Sequence, residues 1–120
     1  MSTHILPYPP SVNNYWKARW TGKFIQHYIS PEGRKFRQRV CDILAGVPKL
    51  TGPVTLMIDV IPPDRRKRDL DNILKALLDA LQHAGVYGDD SQIVDLCVAK
   101  SRPDKPGRVE VTVTDFGREP

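Results

Sequence analysis

Residues 62–75 read PPDRRKRDLDNILK, and this stretch joins a regular strand pattern to a regular helix pattern. Upstream, VTLMIDVI (54–61) alternates apolar side chains with a period of two, which predicts a strand ended by the two prolines. Downstream, apolar residues recur at helical spacing up to Gly85 and predict a helix over about 72–84: Leu70, Ile73, Leu74, Leu77, Leu78 and Leu81. Residues 62–71 therefore connect a strand to a helix.

The same patterns outside this stretch predict four further elements. A short apolar segment, 4–8, reads as a strand, and the following SVNNYWKARW reads as a polar and aromatic loop. Ser30 suits an N-cap and Pro31 a first helical position, so a helix is predicted over about 31–47. Two more strands are predicted at 92–100 and 108–114.

The predicted element order is β-α-β-α-β-β. It favours an α+β fold, a mixed sheet of about four strands with two helices on one face. A chain of 120 residues with 40% hydrophobic content fits one compact domain, 1–120, with a modest core.

Charge and composition narrow the class of protein. Eighteen Lys and Arg against fourteen Asp and Glu give a net charge of +4, which favours polyanionic partners. Cys41 and Cys97 lack metal-ligand spacing, so a reduced, cytoplasmic setting is expected. No segment approaches the ~20 apolar residues that span a bilayer, and we expect a soluble protein without membrane contact.

The connection at 62–71 carries both an anion-binding and a cation-binding pattern. Four consecutive cations, Arg65 to Arg68, suit a nucleic-acid backbone. Side chains two apart in a helix diverge by roughly 200°, so Asp69 and Asp71 can converge only at a helix start, in an extended or capping conformation. Carboxylates and phosphate oxygens are ligands that Mg²⁺ prefers. Asp90, in a Gly-flanked loop before a strand, is a third candidate ligand.

Simpler roles exist for each of these residues. Asp69 or Asp71 could be an N-cap, and Asp89 and Asp90 could be turn residues. Lys75, one helical turn after Asp71, could stabilise a phosphate or only pair with Asp71 or Asp79. In the YWKARW run, Lys17 and Arg19 could contact DNA among stacking aromatics, while Trp16 or Trp20 could equally be core residues. The candidate DNA-binding residues are Arg65, Arg66, Lys67, Arg68, Lys17 and Arg19.

Three segments together resemble a known family. PPSVNNYW (9–16), PPDRRKRDLDNILKALLDAL (62–81) and GVYGDDSQIVD (85–95) closely resemble the RusA family of Holliday-junction resolvases. The resemblance implies a homodimeric, Mg²⁺-dependent endonuclease, with Mn²⁺ as a substitute, that cuts four-way DNA junctions by paired symmetric incisions in recombination and repair. It also implies that Asp69, Asp71 and Asp90 are catalytic metal ligands and that Lys75 is functionally important.

One geometric question follows from this assignment. A helix over 72–84 is ~20 Å long, so Asp90 either returns along it through an extended 85–90 segment or comes from a second subunit. The rival functions are a non-catalytic nucleic-acid-binding module and a metal-dependent nuclease acting on flaps, RNA or ordinary duplex.

Overall fold

The computed structural model describes residues 3–117, which contain a four-stranded mixed sheet. The strands span Thr3–Pro7 (β1), Val54–Ile61 (β4), Ile93–Lys100 (β5) and Arg108–Asp115 (β6). Their order in the sheet is β1–β6–β4–β5; β6 runs antiparallel to both of its neighbours, whereas β4 and β5 are parallel. The predicted α+β class and mixed sheet of four strands are confirmed.

Three α-helices accompany the sheet: Val12–Tyr15 (α1), Pro31–Ile43 (α2) and Asp71–His83 (α3). Helix α2 begins as predicted, because the Ser30 side chain accepts a hydrogen bond from the Gly33 amide at 2.9 Å. It ends at Ile43, four residues earlier than the predicted Val47. Gly46, with φ of +86°, takes the left-handed conformation that stops helices.

One face of the sheet carries the core and the other is open. The alternating residues of β4 and β6 that point inward are almost fully buried against α2 and α3. On the opposite face, Met57 is 53% exposed. Two helices on one face are therefore confirmed. The core side chains include Leu56, Ile58, Val60, Val109 and Val111 from the sheet, and Phe36, Val40, Ile73, Leu77 and Leu81 from the helices.

The loop predicted over SVNNYWKARW (11–20) is replaced by helix α1 and by the first strand of a two-stranded hairpin. Its strands are Trp16–Trp20 (β2) and Ile25–Ile29 (β3), paired antiparallel. The Thr21 amide donates to the Phe24 carbonyl at 3.0 Å and closes the turn. The loop prediction was wrong because the period-two alternation is present in WKARW, with Trp16, Ala18 and Trp20 on one face, but its aromatic and cationic composition was read as that of a loop.

Helix α3 connects two parallel neighbours, β4 and β5, so the loops that follow these strands meet at one end of the sheet. Val60 lies opposite Lys100 in the register. The Ser101 amide donates to the Val60 carbonyl at 2.8 Å, and the Asp104 amide to Pro62 at 2.9 Å. The loop 62–70 is therefore held against the loop 101–107.

The structure bears on two expectations from composition, one about the two cysteines and one about membrane-spanning helices. Cys41 lies in α2 and Cys97 in β5, and both are free thiols. Within residues 3–117, none of the helices has the length and apolar content needed to cross a bilayer.

Candidate active site

Asp69 and Asp71 lie at the start of α3, but neither caps it. Asp71 is the first helical residue, and Leu70 occupies the N-cap position without a side-chain cap. Leu70 has helical dihedrals, φ −61° and ψ −41°, so the extended or capping conformation expected between the two aspartates is not found. Both aspartates are exposed, and neither carboxylate has a hydrogen-bond or ion-pair partner among residues 3–117. The helix start thus presents two unsatisfied carboxylates.

Lys75 follows Asp71 by one helical turn and is exposed. In the described part of the chain, its amine pairs with neither Asp71 nor Asp79, so the simpler ion-pair role does not apply. Its charge remains available beside the two carboxylates.

Asp79, two turns further along α3, lies in a fully connected polar cluster. Its Oδ2 accepts from Arg37 Nη2 of α2 at 2.8 Å and from the hydroxyl of Tyr15. Arg37 Nε also donates to the Tyr15 hydroxyl at 3.3 Å. Tyr15 is completely buried; this burial, followed by its hydrogen bond to Asp79, raises its pKa to about 12. The cluster fastens α3 to α1 and α2.

Asp89 and Asp90 have different roles at the loop before β5. Asp89 accepts from the Ser91 amide at 3.0 Å and caps the short 3-10 helix Asp90–Gln92, as the turn alternative predicted. Asp90 has no such capping role. Partial burial of its carboxyl group, then the charges of Asp89 and Asp79, raise the pKa of Asp90, while the Tyr87 hydroxyl opposes the shift. Asp90 therefore lies in a negative potential that favours a bound cation.

Within one chain the three predicted ligands do not form one cluster. The charge of Asp79, which is eight residues and therefore about 12 Å along α3 from Asp71, contributes to the raised pKa of Asp90 after burial and the charge of Asp89. Across residues 3–117, no group of three or more His, Cys, Asp or Glu side chains is placed to hold a metal ion.

A basic cleft lies beside the start of α3. It has a volume of about 730 Å³ and is formed where the loops after β4 and β5 meet. Asp64 is the one acidic side chain that lines it among the described residues. Five cations line the cleft: Arg65, Arg66, Lys67, Lys100 and Arg102.

Arg68, the last of the four consecutive cations, is bound internally. Its Nη1 donates to Asp64 Oδ1 at 2.7 Å, and its guanidinium lies 5.8 Å from the centre of the Tyr8 ring. Hydrogen bonds from Arg68 and then from the Arg66 amide lower the pKa of Asp64 to about 2. Lys100 Nζ donates to the Arg68 carbonyl at 2.8 Å. These contacts order the loop that presents the other cations.

The two remaining candidates, Lys17 and Arg19, lie on one face of the hairpin. Arg19 stacks over the Tyr28 ring at 5.3 Å and its Nε donates to Gln26 at 3.1 Å. Of the two tryptophans, Trp16 packs against Tyr15 with ring centres 5.0 Å apart, whereas Trp20 is 68% exposed. The core alternative therefore holds for Trp16 only.

Comparison with known proteins now decides the family. The sequence model of the family described as "Endodeoxyribonuclease RusA" matches residues 7–114. The chain belongs to the RusA family. The matched residues include strands β4 and β5, the cationic loop and α3.

Individual RusA proteins match over nearly their whole length. A crossover junction endodeoxyribonuclease RusA of Enterobacteria phage 82 is 44% identical over 117 residues, 95% of this chain and 94% of the relative. The protein of that name from Escherichia coli K12 is 42% identical over the same shares. That of Enterobacteria phage HK97 is 43% identical over 93% of this chain and 92% of its own. The names of these relatives describe endodeoxyribonucleases that act at crossover junctions.

Sequence reasoning missed three residues of the site that this RusA-family chain presents. Lys100 and Arg102 line the basic cleft only because β5 is parallel to β4, and the strand order was not readable from the pattern. Asp79 was considered only as a partner of Lys75, since its true partner Arg37 is 42 residues away in sequence. The sequence signal that could have identified Asp79 is its charge, because its neighbours on both sides in the second half of α3 are apolar.

Proposed function

We propose that this protein is a Mg²⁺-dependent endonuclease that resolves four-way DNA junctions by paired, symmetric phosphodiester hydrolysis. Its role would lie in homologous recombination and DNA repair. Family membership supports the reaction class. The observation that carries the proposal is the pair of unsatisfied carboxylates at the start of α3, next to a cleft lined by five cations.

The donor set fits a hard divalent cation. Asp69 and Asp71 offer carboxylate oxygens that no described side chain neutralises, and burial, followed by neighbouring negative charge, raises the pKa of Asp90. Mg²⁺ sites in proteins typically combine a few carboxylate oxygens with phosphate oxygens of the substrate, and Mn²⁺ takes similar ligands. These three residues would hold the ion, which supplies activation of water and neutralisation of charge on the scissile phosphate.

The chain's own cations have two separate tasks. Lys75, exposed and unpaired next to Asp71, stabilises the negative charge that develops on the phosphate during cleavage. Arg65, Arg66 and Lys67 bind flanking phosphates along the cleft and fix the position of the backbone. Arg68 acts through the order of the loop, because Asp64 already holds its guanidinium.

A homodimer follows from the requirement for two symmetric cuts. It would also complete the ligand set, because the acidic side chains of residues 3–117 in one chain form no group of three that could hold a metal ion. In the dimer, Asp90 of one copy would complete the site that begins with Asp69 and Asp71 of the other. Each site would then contain residues of both copies.

A substrate panel tests the activity. The purified protein is incubated with a four-way junction, a linear duplex of the same sequence, a flap, a single strand and RNA, each with Mg²⁺, with Mn²⁺ and with EDTA. We expect paired cuts in the junction, with either metal and not with EDTA. Binding without cutting in every lane would indicate a non-catalytic module, and equal cutting of flap, RNA or duplex would indicate another nuclease.

A mixing experiment tests the shared site. Asp71→Asn chains and Asp90→Asn chains are each inactive alone, but in a mixed dimer one of the two sites keeps all three aspartates if the site is shared. Mixing should therefore restore single nicks in the junction, whereas paired cuts stay absent. If each site belongs to one chain, the mixture stays inactive.

A further inference from the structure

The hairpin of residues 16–29 has two faces of different chemistry. One face carries cations and hydrogen-bonding groups: Lys17, Arg19, Gln26 and Tyr28. The other face, in the same register, is largely apolar: Trp16, Ala18, Trp20, Ile25, His27 and Ile29. At the base this apolar face is covered, because Trp16 and Ile29 pack against the core and the Ser30 amide donates to the Tyr15 carbonyl at 2.9 Å.

The far end of the hairpin projects with three large apolar side chains in solvent. Trp20 is 68% exposed, Phe24 61% and Ile25 60%. Trp20 lies opposite Ile25 in the register, and Phe24 lies in the turn. Exposed aromatic groups at the end of an isolated two-stranded ribbon contribute little to its stability, so their exposure indicates a binding role.

The charge of the hairpin selects the kind of partner. The first acidic residue of the chain is Glu32, so the hairpin contains Lys17, Arg19 and Lys23 and no carboxylate. Arg19 is held in place by Tyr28 and Gln26. A cationic ribbon with aromatic side chains complements a polyanion that has flat, stackable groups, and nucleic acid has both.

The position of the hairpin connects it with the cleavage site. Tyr15, the residue before β2, donates to Asp79 of α3, the helix that begins with Asp71. A five-residue strand extends about 17 Å, so the tip reaches roughly that far from its base near α3. A two-stranded ribbon also fits the major groove of B-form DNA, which is about 12 Å wide.

We propose that Trp20 and Phe24 stack on bases that lose a stacking neighbour at the branch point, so that the hairpin selects branched over linear DNA. The inference rests on the proposed function. In an uninterrupted duplex every base face is covered by its neighbours, and the tip aromatics then have no free face to contact. At a branch point, terminal base pairs of the arms expose such faces. The cationic face contacts phosphates in both kinds of DNA and adds no selectivity.

The test compares binding of a four-way junction with binding of a linear duplex of the same sequence, in EDTA so that no cutting occurs. A Trp20→Ala, Phe24→Ala double variant should bind the junction on the order of tenfold more weakly. Its binding to duplex should change less than about twofold. The single variant Trp20→Phe, which keeps a flat ring and retains Phe24, should show little of the loss of junction binding seen in the double variant.

Ile25→Ala is the matched control, because Ile25 is about as exposed as Phe24 and lies on the same tip without an aromatic ring. Its junction-to-duplex ratio should equal that of the wild type. If Ile25→Ala lost as much junction binding as the double variant, the apolar side chains of the tip would contact protein rather than bases. That result would overturn the proposal. A change of oligomeric state in the double variant, measured by sedimentation, would overturn it too.

The wild-type protein separates the two levels of inference. If it binds junction and duplex equally and cuts no junction, the proposed function fails. If it prefers and cuts the junction while the double variant keeps the full preference, only the role of the hairpin tip fails.

Discussion

The two halves of helix α3 place the same residue type in opposite environments. Asp71, at the start, is exposed and has no partner among the described residues, whereas Asp79, eight residues later, is bound by Arg37 and Tyr15. One carboxylate is satisfied by the fold and the other by nothing in residues 3–117. The exposed carboxylate of Asp71 contributes little to stability and is free to bind a partner outside the fold.

The sharpest way to break this comparison is Asp71→Asn. We expect junction cutting to fall by about 10²- to 10³-fold or more, because a metal ligand and its charge are lost. Junction binding should stay equal or tighten, since a negative charge near DNA is removed. Cleavage assays and binding assays in EDTA measure the two effects. Asp79→Asn on the same helix is the matched control and should keep more of the activity; retained cutting in Asp71→Asn would contradict the ligand role.

The reverse experiment removes the satisfied carboxylate. Asp79→Ala leaves Arg37 and the buried Tyr15 hydroxyl without their acceptor, and we expect the free energy of unfolding to fall by about 1–3 kcal/mol. Urea unfolding measures it. Asp95→Ala, on the exposed edge strand β5, should change stability by less than about 0.5 kcal/mol. Equal effects of the two substitutions would show that the cluster does not stabilise α3.

The cations of the loop allow the same comparison with smaller effects. Lys67 lines the cleft and is exposed, whereas Arg68 is paired with Asp64. Lys67→Ala should reduce the slope of log affinity against log salt by about one unit for one lost phosphate contact, without loss of stability. A salt titration of junction binding measures the slope. Arg34→Ala, an exposed cation of α2 outside the cleft, should leave it unchanged; an unchanged slope in Lys67→Ala would exclude that residue from the DNA surface.

The smallest effect concerns the proton of Tyr15. Its pKa is about 12 in the folded protein and near 10 when unfolded, so the unfolded state loses that proton first as pH rises. Stability from this group is complete below pH 10 and is lost between pH 10 and about 12. Tyr15→Phe should therefore flatten the decline, by about 1 kcal/mol at pH 11 relative to pH 9. Parallel pH curves for the two proteins, from urea unfolding, would contradict this.

Local patterns were enough to predict the elements whose partners lie nearby in sequence. The alternation in β4 and the stripe in α3 reflect one buried face each, and both were predicted within one residue of their bounds. The hairpin was missed because its exposed aromatic side chains and cations resemble a loop. The exposed side chains that made the hairpin strands difficult to recognise in the sequence also form the surface that we propose binds DNA.

Long-range features could not be predicted in this way. The pairing of Arg37 with Asp79 depends on how two helices meet, and the addition of Lys100 to the cleft depends on the parallel order of β4 and β5. The candidate residues were thus found by type and local spacing, whereas their grouping is a property of the folded chain.

The loop between β4 and α3 is braced at several points, by Asp64 to Arg68, by Lys100 to the Arg68 carbonyl and by the Asp104 amide to Pro62. Its cations and Asp71 therefore move as one piece. For the proposed activity, the distance between the phosphates that the loop binds and the phosphodiester bond that is cut is therefore constant. Each strand should then be cut at a constant offset from the phosphates that the loop grips, whatever the sequence of the arms.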